Sequence, residues 1–168
     1  SRQLTKEQMA KALRSITVVK EKRCGRIKGR TVADGRAQRP YTTKAESSSP
    51  TIGTDSLLLS LLIDVMENRH VVTADIAGAF LKADMNEFVL IKIDGAMVSY
   101  LVQANPERYK RFVERENGKK VIYLRLRKAL YGCCTSSKLW FDLFSKTLIE
   151  KMHFTLNPYD NCVANKEV

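Results

Sequence analysis

Apolar residues recur along the chain with two different periods, and the alternation between them predicts a mixed α+β protein. Residues 5–15 (TKEQMAKALRS) put Met9, Ala12 and Leu13 on one helical stripe, with Thr5 placed to cap it. Two short β-branched runs, 16–19 and 31–33, flank a basic turn holding Gly25 and Gly29, which predicts a hairpin with basic edges. Residues 42–54 are rich in Ser and Thr and contain Pro50, so they read as a loop. Residues 55–69 (DSLLLSLLIDVMENR) predict a buried helix, capped by Asp55 or Thr54 and closing near Asn68. VVTADIAGAF then alternates into a strand carrying Asp75, and Gly78 breaks the pattern before a short turn or helix through Phe80 to Lys82. Residues 87–93 (EFVLIKI) form a second strand closed by Asp94-Gly95. Residues 106–115 form a basic helix with Pro106 at its start. Asn117-Gly118 turns into a strand over 120–126, and residues 136–152 make an amphipathic helix with Trp140, Phe141 and Phe144. Residues 162–164 look like the start of another strand, and there is no internal repeat.

Composition narrows the class. With 168 residues, 44% hydrophobic and 28% charged, the chain is globular and holds one domain, or one domain with a short arm. No apolar run reaches the roughly 18 residues of a membrane span; the longest, 57–65, is cut by Ser60 and Asp64. The chain opens on Ser1, without a charged-then-apolar leader, which suggests a piece of a longer protein with no secretory signal. Cys24, Cys133, Cys134 and Cys162 form no CxxC pair and only two His are present, which argues against zinc and for reduced thiols.

Charge adds a partner. The net charge of +11 is unevenly placed: residues 1–44 carry 13 basic and 3 acidic side chains, residues 45–107 carry 3 and 9, and residues 108–128 carry 9 and 2. A basic arm and a second basic stretch therefore flank an acidic middle, a pattern suited to a polyanion.

Three segments carry candidate chemistry. In TADIAGAF, Asp75 ends an apolar strand, which is a firm mount for a carboxylate that binds a hard divalent cation, and the Ile76 backbone carbonyl could add an oxygen. Small residues at 77–79 leave room for a bulky ligand, with Phe80 as its floor. The plainer alternative is a turn-capping Asp with Phe80 in the core. On the hairpin, alternation puts Lys28 and Arg30 on one face, where two cations suit a polyphosphate. A solvated basic edge that discourages aggregation would look the same. In LRKALYGCCTSSKLWFDLF, Tyr131-Gly132 joins an apolar strand to an aromatic-rich helix, and Gly132 lets a partner come close to the backbone. Leu139, Trp140 and Leu143 in the same block read as core.

Taken in order, these pieces resemble the reverse transcriptase domain of copia-type LTR retrotransposon polyproteins, over essentially the whole chain. KGRTVADGRAQR is similar to the family's Lys-x-Arg-Leu-Val-Ala-x-Gly fingers segment, and SSSPTIGTDSLLLSLL to its Ser-Pro link into a helix. TADIAGAFLKADMNEFVLIKI resembles polymerase motif A, LRKALYGCCTSSKLWFDLF resembles motif B, and YDNCVANKEV resembles the lead-in to motif C. Four motifs in order, suitably spaced, make the resemblance specific.

The resemblance implies roles. Asp75 matches the motif A metal carboxylate, with the Ile76 carbonyl beside it, and Phe80 matches the aromatic that excludes a ribose 2′-hydroxyl. Lys28 and Arg30 match finger residues near the triphosphate, and Tyr131 and Gly132 match the motif B edge of the nucleotide pocket. It implies two Mg²⁺ ions in a complete domain, with an RNA template, a DNA primer and deoxynucleoside triphosphates as partners. It implies a basic fingers region and link over 1–54, and fingers and palm with motifs A and B over 55–168. The rest of the polyprotein (palm, thumb and RNase H) and an intracellular, cytoplasmic virus-like particle are implied for the parent, with no membrane.

Two departures stand out. Motif B continues with Gln, Pro and Arg in the family, where this chain has Thr135, Ser137 and Lys138. No Asp-Asp pair occurs anywhere, so the paired motif C aspartates are missing and the isolated chain is expected to be inactive. The competing reading is a non-catalytic nucleic-acid-binding remnant of a decayed or domesticated element. An in-frame Tyr/His-Val-Asp-Asp segment downstream would favour the polymerase; a stop or frameshift would favour the remnant. A generic basic α+β domain is a weaker third reading, since the motif order is the family's own.

Overall fold

The basic hairpin forms a long ribbon whose root is packed and whose tip is wet. The computed structural model describes residues 4–167. Strand β1 (Leu13–Glu21) pairs antiparallel with β2 (Ile27–Ala33), in register from Ser15↔Ala33 to Glu21↔Ile27. The turn is closed by the Lys22 N–H on the Arg26 carbonyl at 2.8 Å, with Gly25 at φ 75°. Leu13 and Ala33 at the root are buried, whereas Val18, Val19 and Ile27 are exposed. The predicted hairpin is present and extends farther than its β-branched runs, because pairing continues through the lysines. The helix before it is shorter than 5–15. Helix α1 (Lys6–Ala10) starts at a Thr5 capping box with Gln8, and Leu13 is already in the strand.

The ribbon docks on a second hairpin. Strand β1 lies parallel to β3 (Leu90–Asp94) through Leu13↔Ile91 and Arg14↔Lys92. Strand β3 pairs antiparallel with β5 (Lys119–Arg125), which pairs with β4 (Glu114–Glu116), giving the order β2-β1-β3-β5-β4. Asn117 and Gly118, at φ 47° and 77°, make the predicted tight turn between β4 and β5.

One face of this mostly antiparallel sheet carries the core. Leu13, Ala33, Ala83, Met85, Val89, Ile91, Ala129 and Cys133 form one cluster, and Ile93, Val98 and Ile122 form another, with Leu124 touching both. Fully burying a Leu such as Leu13 contributes about 1.5–3 kcal/mol. Val98 belongs to α4 (Ala96–Ala104), a helix the pattern does not announce because its residues are nearly all apolar. The predicted helix over 106–115 is instead the short α5 (Pro106–Tyr109), one 3₁₀ turn (Lys110–Phe112) and β4. The loop over 42–54 holds one helical turn, α2 (Lys44–Ser47), capped by Thr43. Helix α6 (Ser136–Met152) has its predicted bounds, with Trp140 and Phe144 stacked at 5.4 Å. Strands β6 (Thr155–Leu156) and β7 (Ala164–Asn165) form a separate two-stranded ladder.

Two expectations change. Helix α3 (Thr54–Met66) forms but has no buried residue: Leu58, Leu59, Val65 and Met66 are 59–78% exposed. Its better-covered positions are Ser56, Ser60 and Asp64, and just before its start the Gly53 N–H donates to the Asp160 carboxylate at 2.8 Å. The segment over 71–76 is not a strand, since no described strand pairs with it, and Val71 and Val72 are 61% and 86% exposed. The apolar pattern reports a face that needs cover, and no described residue supplies that cover.

The ribbon root is held by Gly132. A Cβ there would sit 1.9 Å from the Ala33 carbonyl oxygen, and its φ is 93°. Asp34 next to the root caps the 3₁₀ helix Gly35–Tyr41 and grips Arg36 at 2.6 Å. The Arg36 side-chain and backbone hydrogen bonds lower the Asp34 carboxyl from 3.8 to about 2.

Gly132→Ala should therefore cost more than about 3 kcal/mol in urea unfolding, because clash and strain add. Gly118→Ala, with φ 77° but open space around it, should cost about 1 kcal/mol. Equal losses would contradict the close-approach account. The Asp34 ion pair stabilises the fold above the ordinary carboxylate pKa, and this contribution disappears as pH falls through about 2. A carboxyl NMR titration should give Asp34 a midpoint near 2, returning towards 3.8 in Arg36→Ala. An unchanged midpoint would contradict the pairing.

Candidate nucleotide-facing site

Three distant segments meet beside the ribbon root. The 3₁₀ turn Ala79–Lys82 carries Phe80, β2 carries Arg30, and the loop before α6 carries Tyr131. The Phe80 and Tyr131 rings lie 4.6 Å apart, centroid to centroid, tilted by 33°. The Arg30 guanidinium sits over the Tyr131 ring at 5.4 Å. Phe80 also leans on the cluster that contains Leu13 and Ile91, so its ring is half core and half surface. A tilted aromatic pair under a guanidinium gives a flat apolar wall beside a fixed positive charge.

Backbone contacts set this geometry. The Ala33 N–H donates to the Tyr131 carbonyl at 2.8 Å, and the Cys134 N–H donates to the buried Gln38 Oε1 at 2.9 Å. The Cys134 thiol reaches the Gly35 carbonyl, and the Ser136 hydroxyl donates to the Leu130 carbonyl at 2.7 Å. On the other side, the Ala129 N–H donates to the Ala83 carbonyl at 2.9 Å, the Met85 N–H donates to the Arg127 carbonyl, and Lys128 pairs with Asp84. Phe80 is thus held by the strap over 83–85, and Tyr131 by the ribbon root.

The other candidates are placed as follows. Gly132 follows Tyr131, but the backbone that comes close to it is the chain's own Ala33. Lys28 is two residues out from Arg30 on the same exposed face of β2, opposite Lys20. Asp75 is exposed on the unpaired segment, five residues before Phe80. The Ile76 carbonyl accepts from the Ala79 N–H at 3.2 Å, which leaves one lone pair. So Phe80, Tyr131 and Arg30 form one surface, and Asp75 lies five residues before Phe80 in the chain.

An Asp carboxylate is a suitable donor for a hard cation, but a two-metal centre needs more anionic ligands than one. Among the described residues no group of three or more His, Cys, Asp or Glu comes together that could hold a metal ion. The described residues therefore do not by themselves make a two-metal site. Cys133, beside the wall, is no ready nucleophile: burial pushes its thiol up to about 11. Ala33, Gly35 and Gln38 support the site from within the KGRTVADGRAQR segment, where the motif gives them no separate role.

The family model described as "Reverse transcriptase (RNA-dependent DNA polymerase)" matches residues 3–163. The Ty1-BL and Ty1-NL2 transposon Gag-Pol polyproteins of Saccharomyces cerevisiae (strain ATCC 204508 / S288c) are each 27% identical over 141 residues, covering 84% of this chain and 7% of theirs. The Ty1-DR4 Gag-Pol polyprotein of the same yeast is 26% identical over 84% of this chain and 8% of its own length. The chain thus spans less than a tenth of these relatives. No solved structure matches it. The motif order, the match over 3–163 and the Ty1 relatives lead to one assignment: the chain belongs to the reverse transcriptase (RNA-dependent DNA polymerase) family, as a reverse transcriptase domain of the copia type.

Proposed function

We propose that the chain is the nucleotide-facing part of a copia-type reverse transcriptase that, in its full-length parent, copies an RNA template onto a DNA primer from deoxynucleoside triphosphates. The observation that carries this reading is the Phe80–Tyr131 pair with the Arg30 guanidinium above it. A flat aromatic wall suits a deoxyribose and base, and a neighbouring fixed cation suits a triphosphate. Lys28, on the same face of β2, adds a second charge for the phosphates.

In this reading residues 1–54 are a basic fingers region and link, and residues 55–168 carry fingers and palm with motifs A and B. Asp75 and the Ile76 carbonyl would contribute oxygens to the Mg²⁺ ions of a complete domain. Those ions, when bound, supply charge neutralisation and nucleophile activation in phosphoryl transfer. Phe80 would exclude a ribose 2′-hydroxyl, with Tyr131 beside it in the same wall and Gly132 next along the chain. The uncovered apolar side chains of α3 and of 71–72 are what palm strands from the rest of the polyprotein would cover.

One carboxylate does not neutralise two divalent ions, so the isolated chain is expected to extend no primer on an RNA template with Mg²⁺. Template-dependent extension by this chain alone would overturn that expectation. In a longer chain that does extend primers, Phe80→Ala should relax discrimination against ribonucleotides by roughly tenfold or more. Unchanged discrimination would make Phe80 a core residue only. Arg30→Ala in the same background should raise the KM for nucleotide and leave template affinity nearly unchanged; equal loss in both would contradict its placement at the triphosphate.

A further inference from the structure

Gln38 is a buried polar side chain that the fold uses at one end only. It lies in the 3₁₀ helix Gly35–Tyr41 and is 1% exposed. Its Oε1 accepts from the Cys134 N–H at 2.9 Å, which fixes the oxygen end of the amide, because a backbone N–H can only donate. The amide nitrogen at the other end donates to no described residue. Among the described residues, Thr135 Oγ1 is the side-chain polar atom that is both sealed from solvent and unpartnered, so the Gln38 nitrogen reaches open space. The open space that Gln38 lines is a cavity of about 290 Å³ between α1, this 3₁₀ helix and the entry to β3.

The cavity has two chemically different ends. Val89 and Leu90, both buried, make an apolar floor beside Gln38. Tyr41 and Phe88, 56% and 48% exposed, stand at the mouth. Glu87 lies there too and is in no ion pair among the described residues, whereas Lys11 is held by Glu7 at 2.8 Å. Burial raises the Tyr41 hydroxyl above its ordinary pKa, and Lys11 and Glu87 act on it in opposite directions, so both charges lie near that hydroxyl. Gln8, Phe88 and Leu90 also line a wider groove of about 1310 Å³, bordered by Arg111, Phe112 and Arg125, which gives the cavity its entrance.

A buried amide N–H without an acceptor calls for a carbonyl oxygen. Two open rings beside an unpaired carboxylate call for an organic cation. The volume is close to the lower end of small-molecule pockets, roughly 300–1,000 Å³, and admits a single ring with short arms. We propose that this cavity binds a small organic cation carrying a carbonyl oxygen, with the oxygen on the Gln38 amide nitrogen, the body over Val89 and Leu90, and the cation at Glu87 beside Tyr41 and Phe88. Gln38 links the site to the nucleotide-facing wall, because the same side chain holds Cys134, which follows Gly132 by two residues. A bound carbonyl polarises the Gln38 amide and strengthens its bond to Cys134, so the ligand stiffens the corner that carries Tyr131. The cavity shares no residue with that wall and depends on no metal.

The probe is para-(aminomethyl)benzamide, one ring with a carbonyl at one end and an ammonium at the other. It is titrated into the isotope-labelled whole chain and followed by two-dimensional NMR. A ligand of this size should saturate with a Kd on the order of 1 mM, and the Gln38 side-chain amide and Cys134 backbone amide should shift together. Gln38→Glu keeps an oxygen for Cys134 but replaces the free donor with an anion. It should weaken para-methylbenzamide, which has the carbonyl and no cation, by roughly tenfold or more. Glu87→Gln, a surface change, should weaken the aminomethyl probe by roughly twofold to fivefold and leave para-methylbenzamide unchanged. No saturable shift at Gln38 and Cys134 would overturn the proposal, and so would wild-type binding of para-methylbenzamide by Gln38→Glu. Wild-type binding of the aminomethyl probe by Glu87→Gln would overturn the cationic end.

Discussion

Everything in this structure turns on a backbone contact that excludes side chains. The Tyr131–Gly132 corner lies against Ala33 so closely that a Cβ on Gly132 would overlap the Ala33 carbonyl oxygen, and one on Gly35 would overlap the Gly132 carbonyl. The 2.8 Å bond from the Ala33 N–H to the Tyr131 carbonyl lies within that contact. It ties the basic ribbon to the segment leading into α6. Ribbon root, aromatic wall and helix start therefore move as one unit, and Arg30 rests over Tyr131 because the ribbon has no freedom at its base.

Local features were legible wherever a short stretch decides its own conformation. The Thr5 cap, the Asn117-Gly118 turn, the basic hairpin and the bounds of α6 follow from capping, positive φ and periodicity. The proximity of Phe80, Tyr131 and Arg30 was not legible from spacing, because about fifty residues separate each from the next and only tertiary packing joins them. Their order as motifs pointed to it instead. Gly132 was read as room for a partner, and the partner that comes close is the chain's own Ala33.

The two misread segments share a cause. Residues 55–69 and 71–76 have patterns that ask for burial, and the described residues leave both uncovered. Hydrophobic periodicity identifies which face needs a partner, but the partner itself is a property of other residues. Asp75 inherits this openness, since it sits on the unpaired segment and not on a strand. The charge map fares better. The basic arm becomes the ribbon carrying Lys28 and Arg30, and the second basic stretch supplies Arg111 and Arg125 to the lining of a groove.

The central claim is that Arg30, Phe80 and Tyr131 form one surface that receives a deoxynucleoside triphosphate. The most direct measurement is a two-dimensional NMR titration of the isotope-labelled chain with dTTP and Mg²⁺, following these three residues. The account predicts shift changes concentrated at Arg30, Phe80 and Tyr131, with Phe88 and Phe112 unaffected. Shifts confined to other regions, with those three unmoved at saturating nucleotide, would contradict it.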